Sequence, residues 1–267
     1  MSLMSDYETR TAWKYNPVSG RFQTHPGLLN KVDEEGAFRP YMGSTVVFRL
    51  DRQSRSYFRI VRQIIADGMQ ELFSETFPAS EFHMTLHDLV SPEMTGVPHV
   101  YMDKSHTVYS PQYMTEVERS LAAASRVVAE IQREYAGEYI ELLADRVVNM
   151  VSKSLVLMLK PATEIDYRFF LDLYHRFDGV KALPYPLSPH VTLAYFRPGE
   201  IDGELMSKAM ERVQVDANDP MPVSLSIDGM TTQRFLDMAH YTDFPIKVCF
   251  CCDGGMNRSV MAAAVLT

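Results

Sequence analysis

Two short stretches of this chain carry the same pair of reactive side chains at the same spacing. In Phe82-His83-Met84-Thr85-Leu86, and again in Pro189-His190-Val191-Thr192-Leu193, a histidine is followed two positions later by a threonine inside or opening an apolar run. On a β-strand, side chains at i and i+2 share one face, so each run presents one imidazole beside one hydroxyl. Two such pairs facing each other supply two acid–base groups and two hydroxyl donors. That set suits the breaking of a phosphoester.

The elements around the two runs repeat. A strand is expected from Thr45 to Leu50, then a helix from about Ser54 to Phe73, whose apolar residues Phe58, Val61, Ile65, Met69 and Leu72 recur at three- and four-residue steps. Pro78 and Ser80 mark a turn, and the first His-x-Thr strand follows. The second copy runs from a strand at Ser154–Lys160 through a helix at about Glu164–Asp178, stopped by Gly179, and a proline-punctuated turn from Leu183 to Pro189. From Thr45 to His83 is 38 positions, and from Ser154 to His190 is 36. A pseudo-twofold pair of lobes brings both motif strands to a shared cleft.

Between the copies, residues 91–113 read as a loop. Thr115–Ala136 reads as a helix with a stripe from Val117 to Tyr135 and with Gly137 as its C′ residue. A strand is expected at Glu138–Leu143. After the second motif come a helix from Gly203 to Val213, a strand with alternating Val223, Leu225 and Ile227, and an extended segment from Thr231 to Met238. Residues 5 to about 30 are polar and broken by Pro17, Gly20, Pro26 and Gly27, and they read as an irregular arm. Met1-Ser2-Leu3 before Met4 looks like an appended leader.

With eight histidines in the chain, roughly one His-x-Ser/Thr arises by accident. His240-Tyr241-Thr242 is taken as that accident, because Asp243 and Pro245 break the strand pattern. The plain alternative for the other two is a pair of core histidines beside threonines that are there for β-propensity; their apolar strands and equivalent places in a repeat argue for the chemistry. His87 shares the face of His83 and Thr85 if the strand continues, as a substrate contact or as a polar strand end. Its spacing from His83 also matches zinc pairs on helices, but no Glu follows His83 and the run reads as strand, so a zinc site is rejected. Arg39 and Tyr41 either line the cleft or build a turn, and Tyr195 either stacks on a base or packs.

Composition bounds the partners. The chain of 267 residues has 46% hydrophobic and 22% charged residues, ordinary values for a globular protein with a substantial core. A formal charge of −8 argues against a broad surface tracking long nucleic acid, while leaving room for a pocket that holds a nucleotide or an RNA end. The longest apolar runs are too short to span a bilayer. Three cysteines, Cys249, Cys251 and Cys252, crowd into four positions and form no disulfide framework, so a cytoplasmic setting is expected. No cofactor is called for.

Taken together, Phe82-His83-Met84-Thr85-Leu86 and His190-Val191-Thr192-Leu193 resemble the paired signatures of the 2H phosphoesterase superfamily, which includes RNA 2′,5′-ligase-like proteins, cyclic nucleotide phosphodiesterases and RNA 3′-end processing enzymes. The lead-in from Gly36 to Thr45 resembles a poorly characterised subgroup of it. The resemblance covers about residues 30–244. It implies an α+β fold of two pseudo-symmetric lobes, with antiparallel sheets around a central cleft and helices outside. It also implies a metal-independent phosphodiesterase acting on a 2′,3′-cyclic phosphate or an RNA or nucleotide diester. Imidazole titrates near pH ~6.5, so one neutral ring can take a proton from water while its protonated partner gives one to the leaving oxygen. His83 and His190 fill these roles in an order the sequence leaves open, and Thr85 and Thr192 hold the non-bridging oxygens. A ligand-binding protein with the same cleft and no turnover is the competing expectation.

Near the C-terminus, Cys252 to Arg258 satisfies Cys-x5-Arg, followed by Ser259, between an apolar strand and an Ala-rich helical start. Such a loop can cradle a phosphate and lower a thiol pKa. Residues 245–267 resemble the strand–loop–helix of low-molecular-weight tyrosine phosphatases. That resemblance implies a piece of a second, cysteine-phosphatase domain in a bifunctional protein.

Overall fold

The computed structural model describes residues 7–8, 10–11, 16, 18, 20–95, 100–103, 106–215 and 220–245. The Cys252, Arg258 and Ser259 loop lies outside them. Among the described residues twelve strands are present: β1 (Arg21–Gln23), β2 (Gly43–Arg49), β3 (His83–Val90), β4 (Val100–Asp103), β5 (His106–Val108), β6 (Tyr139–Met150), β7 (Ser154–Pro161), β8 (His190–Tyr195), β9 (Glu200–Asp202), β10 (Pro222–Ser226), β11 (Met230–Phe235) and β12 (Tyr241–Phe244). The long helices are α1 (Arg52–Gly68), α2 (Pro111–Glu134), α3 (Glu164–Asp178) and α4 (Gly203–Val213). Among the described residues no helix is long and apolar enough to cross a membrane.

The fold is α+β with antiparallel pairing throughout. Eight strands form one curled sheet in the order β10-β6-β7-β8-β3-β2-β11-β12. The two expected lobe sheets are the halves of this one sheet, joined where β3 meets β8 through the single registered pair Met84↔Val191. On either side of that seam the order mirrors: β2 flanks β3 as β7 flanks β8. The helices pack on the sheet, α1 against β8 and β10, α2 against β2, β3 and β11, α3 against β6, β7 and β3, and α4 against β6. Met84, Leu86, Val191 and Leu193 are buried in one continuous core with Phe58 and Ile65 of α1 and Phe170 and Phe177 of α3. The opposite faces of β3 and β8 are thereby left for the cleft.

Local chemistry sets most element ends. Asp51 caps α1 by accepting from the Ser54 N–H at 2.8 Å. Thr163 and Asp166 form a reciprocal capping box on α3, and Asp202 caps α4 by accepting from Glu204 and Leu205. α2 opens with Pro111 in its first turn behind the cap Ser110, four residues earlier than the apolar stripe suggests.

α1 ends at Gly68, not Phe73; Met69, Leu72 and Phe73 keep the helical period of burial, but they sit in tight turns. β6 runs on from Leu143 to Met150 through a bulge between Ala144 and Arg146, which puts polar residues inside a strand. Residues 91–113 hold a helical turn at Pro92–Thr95 and the small β4–β5 hairpin, as well as the start of α2. The N-terminal arm is not irregular throughout, since β1 pairs with β9, a 3₁₀ turn spans Pro26–Asn30, and Leu28 is fully buried. Tyr241–Phe244 is a strand after all: at the edge of a sheet, the Asp243 and Pro245 that argued against it are tolerated.

Candidate active site

β3 and β8 carry the two motifs into the middle of the sheet. Carrying the Met84↔Val191 register one residue each way sets His83 opposite Thr192 and Thr85 opposite His190. The two imidazoles therefore occupy diagonal corners of a rectangle and the two hydroxyls the other corners. By ordinary antiparallel geometry the diagonal is about 7–8 Å. All four side chains line one cavity of about 510 Å³.

A bulge then repeats in both strands. Val47 pairs with Thr85 and Val46 with His87, so Leu86 is the extra residue of β3; Val156 pairs with Thr192 and Leu155 with Ala194, so Leu193 is the extra residue of β8. Each bulge puts two consecutive residues on the core side and returns the third to the cleft. Asp88 and Tyr195 thus face the cavity at equivalent positions. His87 is turned away from His83 and Thr85, contrary to simple alternation. It is fully buried, with Nε2 2.7 Å from the Lys181 carbonyl and its ring against Phe177. The partner strands add Thr45 of β2 and Ser154 of β7, hydroxyls in matching places, which pair with Asp88 and Tyr195 respectively.

Both histidines are oriented alike. His83 Nδ1 lies 2.6 Å from the carbonyl of Glu81, and His190 Nδ1 lies 2.8 Å from that of Ser188. A carbonyl only accepts, so Nδ1 carries the hydrogen in each ring and the neutral ring offers the Nε2 lone pair. Burial pushes the His83 pKa down to about 4; the bond to the Glu81 carbonyl opposes this, the charge on His190 adds to it, and Asp88 opposes it. His190 is also lowered by burial, against the Ser188 carbonyl and Asp88. Both imidazoles are thus favoured in the neutral form at neutral pH. The N-terminal arm reaches this support as well, because the Ser188 hydroxyl donates to the Thr11 carbonyl.

Aromatic rings build the walls. Tyr241 lies with its ring 4.7 Å from that of His83, and burial raises its phenol well above the usual range. Tyr195 lines the cavity and packs edge-on to Phe38 and Phe77. Tyr41 is buried, also lines the cavity, and has its phenol pushed up to about 12, first by burial. Arg39 does not line the cavity, since its Nη1 donates to the Leu29 carbonyl at 3.0 Å. His240 stays outside too, exposed and held by Asp237 at 2.8 Å. Among the described residues no group of three or more His, Cys, Asp or Glu could hold a metal ion.

No protein-family model matches the chain, and no curated protein matches it. Among solved structures, a conserved protein of unknown function from Agrobacterium tumefaciens matches over 90% of this chain and 98% of its own, at 18% identity and a TM-score of 0.55. The chain shares that fold. Escherichia coli LigT in complex with 3′-AMP matches over 76% of this chain and 95% of its own, at 13% identity and a TM-score of 0.42. TT0787 of Thermus thermophilus matches over 75% and 94%, at 12% and 0.41. Likenesses as slight as the last two bear on neither fold nor function.

The cavity contains residues that sequence patterns did not single out. Asp88 accepts from the Tyr185 hydroxyl at 2.8 Å, and Lys31, Glu93 and Lys153 line the same cavity. Asp88 was masked by the bulge, which breaks the i, i+2 rule that pointed to His87. Lys31, Glu93 and Lys153 come from the arm, from the turn after β3 and from the β6–β7 hairpin, and nothing in their local sequence links them.

Proposed function

We propose that the chain is a phosphodiesterase of the two-histidine type, acting on a 2′,3′-cyclic phosphate or another nucleotide or RNA-end diester. One observation carries this reading: two imidazole–hydroxyl pairs on adjoining antiparallel strands share one cavity, with the imidazoles diagonal and each fixed through Nδ1. The likeness of the two motifs to 2H signatures supports it. One Nε2 accepts a proton as water oxygen bonds to phosphorus. The other imidazole, protonated, gives its proton to the ribose oxygen as the P–O bond breaks, leaving a phosphomonoester and restoring the ring charges in exchanged positions. Thr85 and Thr192 donate to the non-bridging oxygens, where negative charge builds. The tyrosines of the wall offer faces for a base.

Turnover of the four nucleoside 2′,3′-cyclic phosphates in EDTA tests this. Wild type should hydrolyse at least one, and His83→Ala and His190→Ala should each lower kcat by about 10²–10⁴. Turnover that survives both substitutions would overturn the assignment. Binding without turnover in wild type would favour a ligand-binding role for the same cleft.

A further inference from the structure

The cavity holds two ammonium groups that this chemistry does not use. Lys31, just past the 3₁₀ turn, extends Nζ over the ring of Tyr41 at 4.9 Å and that of Tyr195 at 5.7 Å. Among the described residues no oxygen accepts a hydrogen bond from it and no carboxylate lies within ion-pair distance. Burial opposes its charge, yet Tyr41, Tyr195, Glu93 and Asp88 around it hold it protonated, above the usual lysine range. Lys31 is half-buried and lines the cavity, so its three N–H donors, which no described protein oxygen accepts, are offered to whatever the cavity holds.

Lys153 stands beside it. The β6–β7 turn places it there, through Val151 and Ser152 at φ +46° and +56°. Its Nζ lies 3.1 Å from Glu93 Oε2, with both side chains partly buried. Burial and the charge of Lys31 lower the Lys153 pKa, so the two cations feel each other. Glu93 alone forms an ion pair with either lysine among the described residues, and against its own burial both lysines pull its pKa down. Neither lysine is among the charges that shift His83 or His190, which respond to Asp88 instead. The two ammoniums come from other elements than the imidazole–hydroxyl rectangle, Lys31 from the segment before β2 and Lys153 from the β6–β7 turn.

We propose that Lys31 and Lys153 form a second anion subsite, which takes a phosphate monoester at the far end of the substrate while Glu93 occupies it in the empty protein. This rests on the two-histidine reading: the substrate then carries a diester at one end and a terminal phosphate at the other. A phosphomonoester dianion matches two ammoniums and supplies the acceptors that Lys31 lacks.

The test is isothermal titration of the full chain with adenosine 5′-monophosphate, against adenosine, in wild type, Lys31→Met, Glu93→Gln and Thr85→Val/Thr192→Val. The monophosphate should bind wild type saturably and at least about tenfold more tightly than adenosine, and Lys31→Met should lose about tenfold or more of that affinity. Glu93→Gln, which frees Lys153, should tighten binding several-fold and does not depend on the Lys31 variant folding. Absence of saturable binding, an unchanged affinity in Lys31→Met or Glu93→Gln, or a loss confined to the threonine variant would overturn the subsite. Failure of the two-histidine reading shows separately, as cyclic-phosphate turnover that is indifferent to His83→Ala and His190→Ala.

Discussion

With its pKa held down to about 4, His83 is about 0.1% protonated at pH 7 in the empty protein, and His190 is shifted the same way. General acid catalysis needs one ring charged, so the substrate itself must restore the proton. A diester monoanion held between Thr85 and Thr192 brings a negative charge to roughly 5 Å from an imidazolium. At an effective dielectric of about 20 this is worth about 3 kcal/mol, which lifts the pKa by roughly 2.5, back to about 6.5. Binding of the anion should therefore take up a proton near neutrality. The assay is a pH titration of the histidine Cε1–H resonances, assigned through His83→Gln and His190→Gln, with and without adenosine 2′,3′-cyclic phosphorothioate as a slowly hydrolysed ligand. In the empty protein His83 should remain neutral down to pH 5, and with ligand one of the two rings should titrate between about pH 6 and 7. An empty-state His83 that titrates near pH 6.5, or a pair of rings that the bound ligand leaves unmoved, would refute the electrostatic reasoning.

Two further predictions concern the frame that positions the site. Val151 holds a left-handed conformation that a β-branched residue resists, so Val151→Asn should raise stability by about 0.5–1 kcal/mol in urea unfolding, and a loss would contradict the strained turn. A Cβ on Gly43 would run into the Phe235 ring and the Val90 carbonyl oxygen, so Gly43→Ala should cost about 2–3 kcal/mol by the same measurement, and a neutral result would mean that β2, β3 and β11 are less tightly apposed than described.

Elements that depend on local pattern are legible in the residues alone. The helices at Glu164–Asp178 and Gly203–Val213 are bounded by caps and by Gly179, signals carried in the residues themselves, and they lie where the sequence places them. The two His-x-Thr runs are likewise strands in one sheet, because apolar alternation and the repeated spacing leave little else for them to be. Tertiary structure decided what the strands present. An extra residue opposite β2 and another opposite β7 exist only once those partners are in place, and they send His87 into the core while bringing Asp88 and Tyr195 to the cleft. The β6–β7 turn has no Asn-Gly or Asp-Gly signature, since its Val151 and Ser152 are held left-handed by the pairing of the strands they join. Lys31, Glu93 and Lys153 come together from three distant parts of the chain, and a pattern that reads only a few residues at a time has no term for that meeting.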